Sequence, residues 1–176
     1  MSTPLALTAL AALAAAAKLA KRGSASESDD IERVFRSHAL FTGFRPVQQS
    51  PSRMKPSGLW YSCGSSWNDW CELGMPEEYL KSTPYNYRIQ VNLGAMRVIR
   101  NDDEFLDFER EYRTWRHGFM LIDWEAVARD YEGIEICPYL PNQRMGSDWY
   151  YPWDVASGCI WGAGAFKSVE RLPDCP

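Results

Sequence analysis

Histidine is scarce in this chain, its cysteines form no pattern, and neither sign of charge is in clear excess. The 176 residues include two histidines, His38 and His117. The five cysteines, Cys63, Cys71, Cys137, Cys159 and Cys175, are odd in number and contain no C-x-x-C pair. Zinc sites need thiolates and imidazoles at close spacing, so no metal is expected. Buried free thiols in a reducing, cytoplasmic setting are expected instead. Lysine and arginine total 19 against 23 aspartates and glutamates, a net charge of −4. Such a chain lacks the basic field that coats a phosphate backbone, which favours protein slightly over nucleic acid as a macromolecular partner. Basic residues do gather locally, as Arg45, Arg53 and Lys55 show. No internal repeat is visible. The most apolar run, PLALTALAALAAAAKLA from Pro4 to Ala20, is shorter than about 20 residues and contains Lys18, so it is marginal as a bilayer span.

Hydrophobic residues make up 45% and charged residues 24%, enough for one packed domain. Aromatic residues reach 14%, with eight tryptophans, and these either stiffen a core or offer flat faces to a ligand. Alanine and leucine predict a helix over residues 1–22. No basic residue precedes the apolar run, so the export-signal pattern is incomplete. Three roles stay open for it: docking on an assembly partner or membrane surface (residues 4–20), export, or a loose tail. Residues 23–30, GSASESDD, read as a linker, and residues 31–176 as the folded domain.

Within that domain, strands are expected at 34–41, 58–62, 87–93, 96–99, 134–139 and 156–161, with a loop over 43–57. Ser65 or Ser66 caps a helix through Trp67, Trp70 and Leu73, stopped by Gly74 and Pro76. A further helical turn is expected over 77–81. Asn101 and Asp102 lead a helix whose Phe105, Phe108, Tyr112 and Trp115 recur on one face. Asp123 caps another helix, through Tyr131, that Gly133 ends. Residues 141–149 read as loop and the tail 162–176 as irregular. Short strands mixed irregularly with three or four short helices give an α+β class, a single domain built on a split sheet.

The segment KPSGLWYSCGSSWNDWC, Lys55 to Cys71, carries a glycine-led aromatic strand, a polar turn and an aromatic helix. It resembles the nicotinamide-clamping segment of the ADP-ribosyltransferase superfamily. The likeness is to the branch with a His-Tyr-Glu triad, which includes diphtheria-type toxins and poly(ADP-ribose) polymerases. The resemblance implies that Trp60 and Trp70, or Trp67 in place of Trp70, stack on the two faces of nicotinamide. Tyr61 takes the strand role in the neighbouring register, and Ser62 beside it is expected among the NAD-binding residues. It implies that His38 orients a ribose and that Glu135 stabilises the ribosyl cation, with Glu132 and Asp154 as fallbacks. An Arg-Ser-Glu assignment to Arg36, Ser62 and Glu132 with Glu135 fits less well, because the spacing of that branch's two acidic residues does not match EGIE. The resemblance implies NAD as substrate, no metal, and mono-ADP-ribosyl transfer to a macromolecule.

The chemistry stands on its own terms. Cleaving the nicotinamide–ribose bond builds positive charge on the ribose, which a nearby carboxylate stabilises. Each residue also has a plainer reading. His38 among apolar neighbours reads equally as structural, Trp67 and Trp70 as core, and Glu135 between two isoleucines as the solvent face of a strand. The cluster WYYPW, 149–153, is either a ligand platform or a lid on the core. Cys63 at a strand-to-helix turn, paired with His38 or His117, is a rival nucleophile. A reading from a different class is a non-catalytic interaction protein of a larger assembly such as a virion, docked through the N-terminal helix. A protein delivered into a target cell would combine both.

Overall fold

A computed structural model describes residues 30–74 and 82–173, without the side chains of 72–74. The N-terminal helix, nearly all of the linker, the turn over 77–81 and Cys175 lie outside the described residues. So does the element on which the docking reading rests.

The fold is α+β. Nine strands are described: β1 Arg33–Ser37, β2 Leu59–Cys63, β3 Tyr85–Val91, β4 Arg97–Ile99, β5 Arg113–Arg116, β6 Phe119–Ile122, β7 Gly133–Ile136, β8 Ser157–Ile160 and β9 Phe166–Arg171. The helices are α1 Ser66–Gly74, α2 Asp102–Tyr112, α3 Trp124–Asp130 and the single turn α4 Pro141–Arg144. Seven strands form one curled sheet in the order β4-β7-β8-β2-β1-β3-β9, and β5 and β6 form a separate hairpin. The β4–β7 pair is parallel and the other pairs are antiparallel. Among the described residues no helix is long and apolar enough to cross a membrane.

Local chemistry sets the helix starts. The Asn101 side chain accepts from the Glu104 backbone N–H at 2.9 Å, and the Asp123 side chain from that of Ala126 at 3.0 Å. Phe105, Phe108 and Tyr112 then bury one face of α2. Three expectations are corrected. The helix stops at Tyr112, and Arg113 to Arg116 turn into strand. Residues 141–144 form a helical turn, and the tail holds β9 at the sheet edge.

The sheet is covered on both faces. Trp60, Cys159 and Ile134 stand side by side in register and face the core made with α2, α3 and the 149–153 segment. Trp149, Tyr150 and Trp153 are fully buried there, so this cluster is a lid on the core rather than a ligand platform. One residue along, Tyr61, Gly158 and Glu135 share a row facing the other core, with Phe35, Tyr87, Ile89 and Met96. Adjacent residues of a strand point to opposite faces, so Trp60 and Tyr61 serve different cores.

Candidate functional site

A cavity of about 360 Å³ opens beside β1 and β2, with α1 and residues 154–157 contributing to its wall. Its lining includes Arg36, Lys55, Trp60, Tyr61, Ser62, Trp67, Asp154 and Ser157. This volume lies within the range of small-ligand sites. Trp60 packs edge-on against Trp153, ring centroids 4.8 Å apart. Its indole N–H donates to the Pro56 carbonyl at 3.3 Å, which fixes the ring. Trp67 comes from the first turn of α1 and stacks on Trp70 at 5.1 Å.

Lys55 threads into this aromatic wall. Its ammonium lies 4.4 Å from the Trp60 ring centre and 5.8 Å from that of Trp153, and donates to the Pro152 carbonyl at 3.0 Å. Burial lowers its pKa, and the charge of Asp154 pulls the other way. The Asp154 carboxylate, half-buried, accepts from Arg144 at 2.8 Å. Arg36 donates to the Thr83 carbonyl at 3.0 Å and carries a second cation to the lining. The cavity therefore combines two indoles, two cations, hydroxyls and one carboxylate. That set suits a ligand with a flat ring and an anionic group.

Glu135 is elsewhere. It is fully buried on the other face of the sheet. Arg33 grips it with two bonds, Nε to Oε2 at 2.6 Å and Nη2 to Oε1 at 2.9 Å. The Tyr61 hydroxyl donates to Oε2 at 2.8 Å. Burial works against the charge of Arg33, but Glu135 outweighs it and holds the guanidinium above its ordinary pKa. Burial, and then the Glu135 charge, push the Tyr61 phenol well above its ordinary pKa. The solvent-face expectation for Glu135 does not hold, and Arg33 and Tyr61 enclose the carboxylate expected to be catalytic. Glu132 is also engaged, accepting from the Gly164 backbone N–H.

The remaining residues divide between the cavity and other places. Trp60, Tyr61 and Ser62 border the cavity, as does Trp67, whereas Trp70 lies behind Trp67. His38 is exposed beyond the end of β1, 2.6 Å from the Ser82 carbonyl, and does not line the cavity. Sequence reasoning passed over Lys55 as a lining residue, although its position five residues before Trp60 was a usable signal.

Cys63 and Cys137 are joined in a disulfide that ties β2 to the end of β7. This corrects the expectation of free thiols for that pair and removes Cys63 as a ready nucleophile. Cys71 and Cys159 are free and buried. Cys63, Glu135 and Cys137 bring potential ligand atoms within 4.8 Å of one another. In this arrangement the two sulfurs are bonded to each other and the carboxylate is held by Arg33 and Tyr61.

The chain matches no protein-family model, no curated protein and no solved structure.

Proposed function

We propose that the cavity beside β2 takes the nicotinamide end of NAD and that the protein transfers ADP-ribose to a macromolecule. The observation that carries this reading is the meeting of Trp60, Trp67 and Asp154 in one cavity of about 360 Å³. Trp60 holds a cation, the Lys55 ammonium, over its ring, and the positively charged nicotinamide ring takes its place on that face as Lys55 turns to the pyrophosphate. Trp67 offers a second flat surface. Asp154 replaces Glu135 as the carboxylate beside the ribose, and Lys55 and Arg36 supply charge for the pyrophosphate.

In the reaction the ribose–nicotinamide bond breaks and its electron pair leaves with nicotinamide as a neutral ring. The acceptor's nucleophile bonds to the same ribose carbon. Its proton passes to Asp154 or to solvent. The disulfide favours a life that includes an oxidising compartment, as for a delivered or virion-borne protein, over a purely cytoplasmic one.

Tryptophan fluorescence titration with NAD tests the reading, together with nicotinamide release. Saturable quenching is expected, weakened about tenfold or more by Trp60→Ala and Trp67→Ala, in line with aromatic stacking energies. Asp154→Asn should bind NAD yet release no nicotinamide. Absence of quenching up to millimolar NAD would overturn the proposal.

A further inference from the structure

We propose that the β5–β6 hairpin is an arm that binds single-stranded nucleic acid. The hairpin stands outside the seven-stranded sheet. Its root is fixed: Leu121 and Ile122 are buried, and the Met120 backbone N–H donates to Asp148 at 2.8 Å. Its outer part is bare. Trp115 is 69% exposed and Phe119 49%, and Arg113, Arg116 and His117 are exposed too. An indole this open on a rigid, well-paired hairpin has no role in the core.

Charge selects the occupant. The whole chain carries a net charge of −4, yet residues 113–122 hold two arginines and no acidic residue. Neither arginine has an ion-pair partner among the described residues. Each face of the hairpin offers one cation and one ring. Arg113 and Trp115 lie two apart on one strand face, and Arg116 faces Phe119 across the other. A guanidinium for a phosphate beside a ring for a base is the pairing that single strands use, without need of sequence. A membrane-inserting hairpin would place its rings at the tip. Here the tip is His117–Gly118, with φ of 52° and 83°, polar and small.

This inference does not depend on the cavity taking NAD, and its test uses none. Fluorescence anisotropy of labelled oligouridine and oligothymidine with the full chain should show saturable binding at low salt. With two phosphates neutralised, a fourfold rise in salt should weaken binding about sevenfold. Trp115→Ala and Phe119→Ala should each weaken it about fivefold or more, as loss of one stacked base does. Arg113→Glu with Arg116→Glu should abolish it. Lys167→Ala, on exposed β9, should leave it unchanged, and circular dichroism confirms that the variants fold. Three outcomes would overturn the proposal: no binding at low salt, binding indifferent to the hairpin variants, or hairpin-dependent binding to phosphatidylserine vesicles without binding to oligonucleotides.

Discussion

The Tyr61 ring lies directly over Gly158, where an added Cβ would stand 2.3 Å from its Cζ and hydroxyl oxygen. The missing side chain is what lets the phenol cross β8 and reach Glu135 on β7. Gly158→Ala should therefore displace the ring and cost about 1–3 kcal/mol from overpacking alone. Urea denaturation measures this, and an unchanged midpoint would show that the ring has room to move.

Glu135→Gln separates a structural from a catalytic carboxylate. Removing one partner of a buried ion pair costs about 3–5 kcal/mol, because Arg33 stays charged in the core. For a domain of this size that is a drop of about 10 °C in melting temperature. Replacing Arg33 and Glu135 together by apolar residues should recover much of the loss. A variant that melts normally but loses activity would return Glu135 to the catalytic role.

The fold should be labile in alkali. Burial raises the pKa of Tyr61 and of Tyr150, while both phenols ionise near pH 10 in the unfolded chain. Above that pH the unfolded state releases protons that the folded state keeps. Stability therefore falls with rising pH, by about 1.4 kcal/mol per unit for each such tyrosine. Tyr61→Phe should remove one tyrosine's share of the slope. Denaturation midpoints followed from pH 9 upward, about one unit below the reference value, check this.

Cys63 and Cys137 close a loop across a sequence separation of 74 residues. Reduction should cost about 4.5 kcal/mol by the chain-entropy estimate for such a loop. Thiol titration of the unfolded chain should gain two groups on reduction. Equal counts with and without reductant would show that the bond does not form.

Much of this was written locally in the sequence, and what was not depends on distant partners. Asn101 and Asp123 announce their helices because a cap needs only the next three residues. Period-two alternation correctly separates Trp60 from Tyr61, but it does not say that both faces of the sheet are covered. For that reason Glu135 between Ile134 and Ile136 resembles a solvent-facing residue, while its partner Arg33 lies 102 positions away. Trp115 sits at helical spacing after Tyr112, so the turn into β5 is hidden by the pattern that precedes it. In β9 the burial does not alternate, being intermediate at Phe166 and Val169 and exposed elsewhere, and an edge strand of that kind leaves little trace. The cavity emerges only when Lys55, Trp67 and Asp154 converge from three separate segments.

Five residues, Leu59 to Cys63, are shared between two tenants, and of the five Tyr61 alone touches both rooms. Even-numbered positions look toward the cavity and odd-numbered ones into the interior of the second core. Inheritance along this stretch is therefore phased. A lineage that abandoned its ligand would be free to drift at Trp60 and Ser62 while holding Tyr61 and Cys63. A single inserted codon would hand each tenant the other's room, and both would be lost at once.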